Sequence, residues 1–240
     1  MAWITTKIGK HINTDWFDDD TKQKERQIKA NEAERDTKNA KPLDLSSKSY
    51  KDTKEWFKAN SNYTKWEEQM EEDEYYDTLG KYSGEYYSPI NHYLRKGEFT
   101  ASRYYEKDDM IEDIQEMDKA ISAFELKQPI TVYRKSDSSM FGKNDMSYEQ
   151  IKALEGKVFS DKAYVSASTK SGELPGEQTV TGNMYYHIDV PAGRGNGAYV
   201  AYFSENHSER EFILKRGSKY QVTKVVKDAD GITVVYMRML

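Results

Sequence analysis

Hydrophobic positions along this chain change their spacing near its midpoint. Between Tyr50 and Tyr76 aromatic residues recur among charges (Trp56, Phe57, Tyr63, Trp66), at intervals that suit one or two amphipathic helices. The charged run EEQMEEDE is their solvent face. In YSPINHYLRKG, Ser88 suits an N-cap, Pro89 the first helical turn and Gly97 the position past the end, so a short helix is expected from Pro89 to Lys96. It sets Asn91 and Arg95 four residues apart on one face. Met110, Ile114, Met117, Ile121 and Phe124 form an apolar stripe that predicts a longer helix from Asp108 to Phe124, with the stripe in the core.

After Pro129 the pattern becomes that of strands. ITVYR, AYVSAS, MYYHIDV, GAYVAYF, EFILK, KYQVTKVV and GITVVYMRM are β-rich runs separated by Gly, Pro, Ser and Asn, with one helical turn around SYEQIKALEG. Helices followed by strands indicate an α+β fold: two packed, mainly antiparallel sheets, a β-sandwich, with N-terminal helices to one side. The start of the chain is different. WITT supplies one short strand within residues 1–12, while residues 18–41 offer almost nothing to bury except Ile28, as in a frayed solvated helix or a linker. The expected division is a polar segment at 1–49 and a folded domain at 50–240.

Composition narrows the function classes. Only 37% of the 240 residues are hydrophobic, yet 19 Tyr, 8 Phe and 4 Trp supply enough bulk for a compact domain beside a polar segment. A net charge of −5 gives no general attraction to nucleic acid or anionic lipid, so neither is an expected partner. With no cysteine, disulfides, thiolate zinc sites and a cysteine nucleophile are excluded. The four histidines are dispersed without metal spacing, so no metal is expected. MAWITTKIGKHIN lacks the apolar core of a signal peptide and no stretch approaches a membrane span, which suggests a cytoplasmic or virion-associated protein, with secretion by another route left open.

Three strand ends carry the candidate chemistry. In SENHSERE, just before FIL, Glu209 and Glu211 stand two residues apart, and in an extended chain they would project together. Alone, this is a charged strand mouth. Arg134 ends ITVYR and places a planar fork, suited to a phosphate pair, at a strand edge. On AYVSAS, Ser166 and Ser168 share one face while Val165 and Ala167 take the other.

Arginine, serines and paired acids in this order resemble the R–S–E signature of the ADP-ribosyltransferases, in the branch of the clostridial binary toxins, the C3-like exoenzymes and related phage-encoded enzymes. Tyr82, Tyr87, Ile90, Asn91, Leu94 and Arg95 match that branch's Tyr-x4-Tyr-x2-Ile-Asn-x2-Leu-Arg segment. FSDKAYVSAS (Phe159 to Ser168) and VPAGRGNGAYVAYFSENHSEREFILKRGSKY match its later blocks, and the likeness spans roughly Tyr75 to Leu240.

The resemblance implies an ADP-ribosyltransferase fold and NAD+ as substrate, cleaved through an oxocarbenium-like transition state. It implies that Glu211 stabilises that cation and that Ser166 positions Glu211. It implies cofactor contacts from Arg134, Arg95, Asn91, Tyr87, Ser166 and Ser168. Glu209, with Asn206 and His207, would recognise the acceptor, an arginine of a protein. Four departures stand out: Lys135 replaces a usual glycine, Ala167 replaces the middle Thr of S-T-S, the loop KSGELPGEQTVTGN lacks a phosphate-binding arginine that Lys170 would replace, and Asn206 stands where an aromatic often precedes the acids. The alternatives are an NAD+ glycohydrolase and a catalytically weak phage structural or interaction protein. The N-terminal segment, similar to short pieces of phage minor structural proteins, would bind a phage-head or other protein partner.

Overall fold

The computed structural model describes residues 3–5, 11–13, 40–100, 105–171, 184–204 and 206–240. The chain divides into a unit at 1–40 and a compact unit at 41–240. In the first, strands β1 (Trp3–Thr5) and β2 (His11–Asn13) pair antiparallel, where the sequence suggests a single strand. The helix or linker expected over 18–41 lies outside the described residues, save for its last two positions.

The compact unit opens with β3 (Leu43–Asp44) and three helices, α1 (Tyr50–Asn60), α2 (Tyr63–Glu72) and α3 (Tyr75–Lys81). Ser49 caps α1 by accepting a hydrogen bond from the Asp52 N–H. The expected helix start at Ser88 is not observed. Instead α3 runs through a five-residue π turn, Tyr82–Tyr86, directly into α4 (Tyr87–Lys96). Gly84 is non-helical there (φ −85°, ψ −108°), and Pro89 removes the N–H that would bond the Glu85 carbonyl. The chain meets both weaknesses by widening the helix rather than ending it, a distortion frequent at functional sites. Gly97, at φ 74°, terminates α4 as expected. Helix α5 (Lys107–Ala123) buries the whole predicted stripe: Met110, Ile114, Met117 and Ile121, with Phe124 following.

The strands then follow: β4 (Glu125–Leu126), β5 (Ile130–Ser136), β6 (Val158–Ser160), β7 (Val165–Ser168), β8 (Met184–Val190), β9 (Gly193–Arg194), β10 (Gly197–Tyr199), β11 (Glu211–Leu214), β12 (Lys219–Lys227) and β13 (Thr233–Met239). A short helix α6 (Tyr148–Lys152) lies between β5 and β6. Hydrogen bonds link eight of them in the order β10-β11-β7-β5-β8-β13-β12-β6, with β3 beside β5 as the ninth strand of this sheet, while β4 pairs with β9. Among the described strands only the β3–β5 and β8–β13 pairs are parallel. A single residue pair, Tyr133 and Ser168, joins β5 to β7 and divides this mostly antiparallel sheet into two arms, and β4 with β9 forms a small second sheet. The run GAYVAYF is strand only to Tyr199, because Phe203 and Ser204 turn back to bond the Val200 carbonyl. Among the described residues no helix is long and apolar enough to cross a membrane.

The helices cover one arm through aromatic packing. Phe57 stacks on Tyr199 at 4.2 Å between ring centroids and lies near Phe212 and Phe124, and the Trp66 indole donates to the Ala120 carbonyl at 2.8 Å. Each fully buried ring of this kind is worth roughly 1.5–3 kcal/mol. Gly197 is needed for close approach: a Cβ there would lie 2.7 Å from the Ile213 carbonyl oxygen and collide with the Phe212 ring. Gly197→Ala is therefore expected to cost ~1–3 kcal/mol by overpacking and to lower the melting temperature by roughly 3–10 °C, measurable by calorimetry.

Candidate active site

Strands β7 and β11 build the site's floor. Their register sets Glu211 opposite Ser168 and Ile213 opposite Ser166, so these four share one face. Phe212 and Ala167 take the other face, in the aromatic core. Glu211 is 3% exposed, and its Oε2 has no hydrogen-bond partner among the described residues. Burial lifts its pKa to about 7; the nearby Ser83 and Ser166 hydroxyls hold it down, the Glu209 charge adds to the rise, and Arg134 opposes it. Neither hydroxyl closes a bond to Oε2: Ser83 Oγ is itself buried and unpaired, as is Asn91 Oδ1. Unpaired buried polar atoms are costly and rare in a core. Three in one neighbourhood mark a place where a polar ligand completes the bonding.

Tyr82 and Asn91 roof this floor. Asn91 Nδ2 donates to the Tyr82 hydroxyl at 3.0 Å, and the fully buried Tyr82 packs edge-on against Tyr164. Burial pushes the Tyr82 phenol up, against the pull of Asn91 and Ser166, so it stays a neutral donor beside Glu211. The π turn is what brings Ser83 to the carboxylate, one residue after Tyr82.

Arg134 lies on β5 opposite Tyr186 and donates from Nη1 to the Ser166 carbonyl at 2.5 Å. It thus reaches across to β7, with guanidinium donors left over for an anionic group. Lys135, the first departure, falls on the opposite face of β5 and sits over the Tyr185 ring. Ala167, the second, pairs with Phe212 in the core. Both departures therefore leave the site's face intact. Residues 172–183, most of the loop that carries the third, lie outside the described residues.

Glu209 reaches the site by a route the sequence does not suggest. It belongs to a 3-10 turn, His207–Glu209, rather than to β11. Arg210 then adopts a left-handed conformation (φ 47°, ψ 48°) before the strand starts at Glu211. The acids converge through this reversal, not through strand alternation. Asn206 shapes the turn, accepting from Ser208 and donating to Glu209 Oε1 at 3.0 Å. His207 Nδ1 contacts the Ala201 carbonyl at 2.6 Å, and its ring stacks on Tyr50.

Other expected contacts are placed differently. Arg95 forms a bidentate pair with Asp161, at 3.0 and 2.8 Å, a partner the sequence reading does not identify. Ser168 is fully buried; its hydroxyl donates to the Glu209 carbonyl at 2.6 Å and accepts from the Lys170 N–H, so it holds the turn rather than facing a ligand. Tyr87 is 48% exposed and makes no hydrogen bond or ring contact to these residues among those described. The described residues contain no cluster of His, Asp and Glu suited to a metal.

Comparison with known proteins bears on the family and the fold. The family model for the ADP-ribosyltransferase exoenzyme matches residues 53–237. The NAD(+)–arginine ADP-ribosyltransferase EFV of Enterococcus faecalis is 28% identical over 161 residues, which are 66% of this chain and 30% of that protein, so the chain spans under a third of that relative's length. Among solved structures, Plx2a, an ADP-ribosyltransferase toxin from Paenibacillus larvae, superposes with a TM-score of 0.64 at 28% identity, covering 80% of this chain and 96% of that one. The fold is also that of an ADP-ribosyltransferase from Clostridium botulinum, with a TM-score of 0.66 at 18% identity over 83% of this chain and 99% of that one. With a family match over most of its length, this chain belongs to the ADP-ribosyltransferase exoenzyme family.

Proposed function

We propose that the chain is a mono-ADP-ribosyltransferase that moves ADP-ribose from NAD+ to an arginine side chain of a target protein. The observation that carries this reading is the contrast between its two acids. Glu211 is buried, with an unpaired oxygen and a pKa raised to about 7, whereas Glu209 is half-buried on a turn bordered by exposed residues. One suits an enclosed cofactor and the other an arriving acceptor.

NAD+ fits the groups present. Arg134 offers a fork for its phosphates, while the acceptor atoms of Glu211, Asn91 and Ser83 suit the ribose hydroxyls and the carboxamide N–H groups. In the reaction the bond between ribose C1′ and the nicotinamide nitrogen breaks, and its electron pair leaves with nicotinamide. The ribose cation that develops is stabilised by ionised Glu211, which also accepts from the 2′-hydroxyl. Such fixed electrostatics is commonly worth ~3–4 kcal/mol of barrier, and glycosidases use carboxylates against a similar cation. A guanidinium nitrogen then bonds to C1′, its proton passing to Glu209 or to water.

The name of the Enterococcus faecalis relative supports arginine as the acceptor. A groove beside the turn, lined by Glu71, Tyr76, Tyr202, Phe203 and His207, supports a protein as its carrier, since Tyr76 and Tyr202 are exposed aromatic anchors. We assign residues 1–40, a unit of their own, to partner binding.

The reading is tested by incubating the protein with NAD+ and a mixture of candidate targets. A label that hydroxylamine releases is the expected result; free ADP-ribose with no labelled protein would instead establish a glycohydrolase. Arg134→Lys is expected to raise the KM for NAD+ by about 10-fold or more while changing kcat less, because an ammonium cannot replace the paired donors. An unchanged KM in steady-state kinetics would remove Arg134 from phosphate binding.

A further inference from the structure

One buried cation takes no part in the chemistry above. Arg210, the residue between the two acids, is 3% exposed and pairs with neither of them. Among the described residues its guanidinium meets only neutral acceptors: Nη1 donates to the Lys48 carbonyl and to Thr53 Oγ1 at 3.4 Å, and Nη2 to the Ser46 carbonyl at 3.2 Å. Burying a charge without a counter-ion is expensive, and hydrogen bonds to carbonyls offset only part of the cost. The backbone adds a second expense, since a non-glycine residue in the left-handed region is strained.

Both expenses fall on the residue that joins Glu209 to Glu211. The Arg210 N–H donates to the His207 carbonyl at 3.2 Å, and its own carbonyl accepts from the Thr169 N–H at 3.1 Å. The turn is therefore tied on two sides. Toward β7 it is held by Ser168 and Thr169. Toward the N-terminal stretch it is held by the Arg210 side chain and, separately, by the stack of His207 on Tyr50, with ring centroids 5.8 Å apart. That stretch is itself fixed: Leu45 is fully buried, Ser49 caps α1, and β3 pairs with β5, the strand that carries Arg134.

We propose that Arg210 is a positioning residue for the acceptor half of the reaction: its guanidinium ties the His207–Glu209 turn to the Ser46–Thr53 stretch and so fixes Glu209 relative to Glu211. The proposal rests on the reading of Glu209 given above. Glu211 is held independently by its strand pairing to β7, so the tether governs Glu209 first. Loosening it shifts the acceptor-binding acid while the cofactor-cleaving acid stays in register. A displacement of about 1 Å is enough to cost on the order of 100-fold in rate.

The test compares Arg210→Gly, Arg210→Gln and Arg210→Lys with the parent and with Glu209→Gln, measuring arginine transfer and NAD+ hydrolysis on the same samples. Glycine relieves the left-handed backbone and removes the tether, glutamine keeps a shorter donor, and lysine keeps the charge and part of the bonding. The expected result is a transfer-to-hydrolysis ratio about 10–100-fold lower in the glycine and glutamine variants. Lysine should recover part of it, and the KM for NAD+ should stay near the parent's in all three. Should the glycine variant fail to fold, the lysine variant still decides, because its shift in ratio must lie between parent and glutamine. A ratio equal to the parent's in the glutamine or lysine variant, with Glu209→Gln lowering it, would overturn the tether while leaving the acid assignment standing. No shift in Glu209→Gln would overturn both.

Discussion

Replacing Glu211 by Gln is expected to lower NAD+ hydrolysis and arginine transfer together, by about 10²–10⁴-fold. Both reactions pass through the same ribose cation, and glutamine keeps the side chain's size while losing the charge that stabilises it. The same substitution should make the protein more stable. Glu211 titrates near 4.3 in an unfolded chain but at about 7 in the folded one, because burial disfavours its ionised form. The folded state therefore holds this proton more tightly than the unfolded state does. Its stabilising effect is full below the unfolded value and is lost as the pH rises through 7. Above that, the buried charge costs roughly 3–4 kcal/mol. Glu211→Gln should thus melt roughly 5–10 °C higher than the parent at pH 8, with the difference shrinking toward pH 4. The parent's own rate should rise with pH through about 7 as Glu211 ionises. A variant that keeps parental activity, or that melts lower at pH 8, would show that Glu211 is not the buried acid of the reaction.

Glu209→Gln should separate the two reactions. Hydrolysis needs only water as acceptor and should stay within about 3-fold, whereas transfer to arginine should fall by about 10²-fold or more, the scale of a lost positioned base. The carboxylate offers a guanidinium two parallel hydrogen bonds, and an amide offers one acceptor and a misplaced donor. Parallel assays of nicotinamide release and of arginine adduct check this. Equal losses in both assays would mean that Glu209 acts on the cofactor instead.

How much of this was legible depends on whether the determining contacts are local. The stripe from Met110 to Phe124 repeats every three or four residues, and helix α5 follows it closely. Alternation likewise separates Ser166 and Ser168 from Val165 and Ala167, and the register of β7 with β11 keeps that separation. The same rule does not describe Glu209, because a 3-10 turn and a left-handed arginine carry no periodic signal. Arg210 could not be recognised as a tether, since its partners lie at Ser46 to Thr53, about 160 residues away. Nor could the π turn that presents Ser83, because Pro89 reads locally as a helix start. Arg95 illustrates a further limit, as its spacing from Asn91 gives the face but not the competing carboxylate of Asp161.

The central claim is that one cleft divides cofactor cleavage and acceptor recognition between two acids. It is tested most directly by incubating the full chain with NAD+ and a small guanidino compound, then quantifying released nicotinamide, free ADP-ribose and the ADP-ribosyl adduct by mass spectrometry. An adduct on the guanidino nitrogen is expected to account for most of the nicotinamide released by the parent and little of that released by Glu209→Gln. Nicotinamide release matched entirely by free ADP-ribose in the parent, or no release at all, would contradict it.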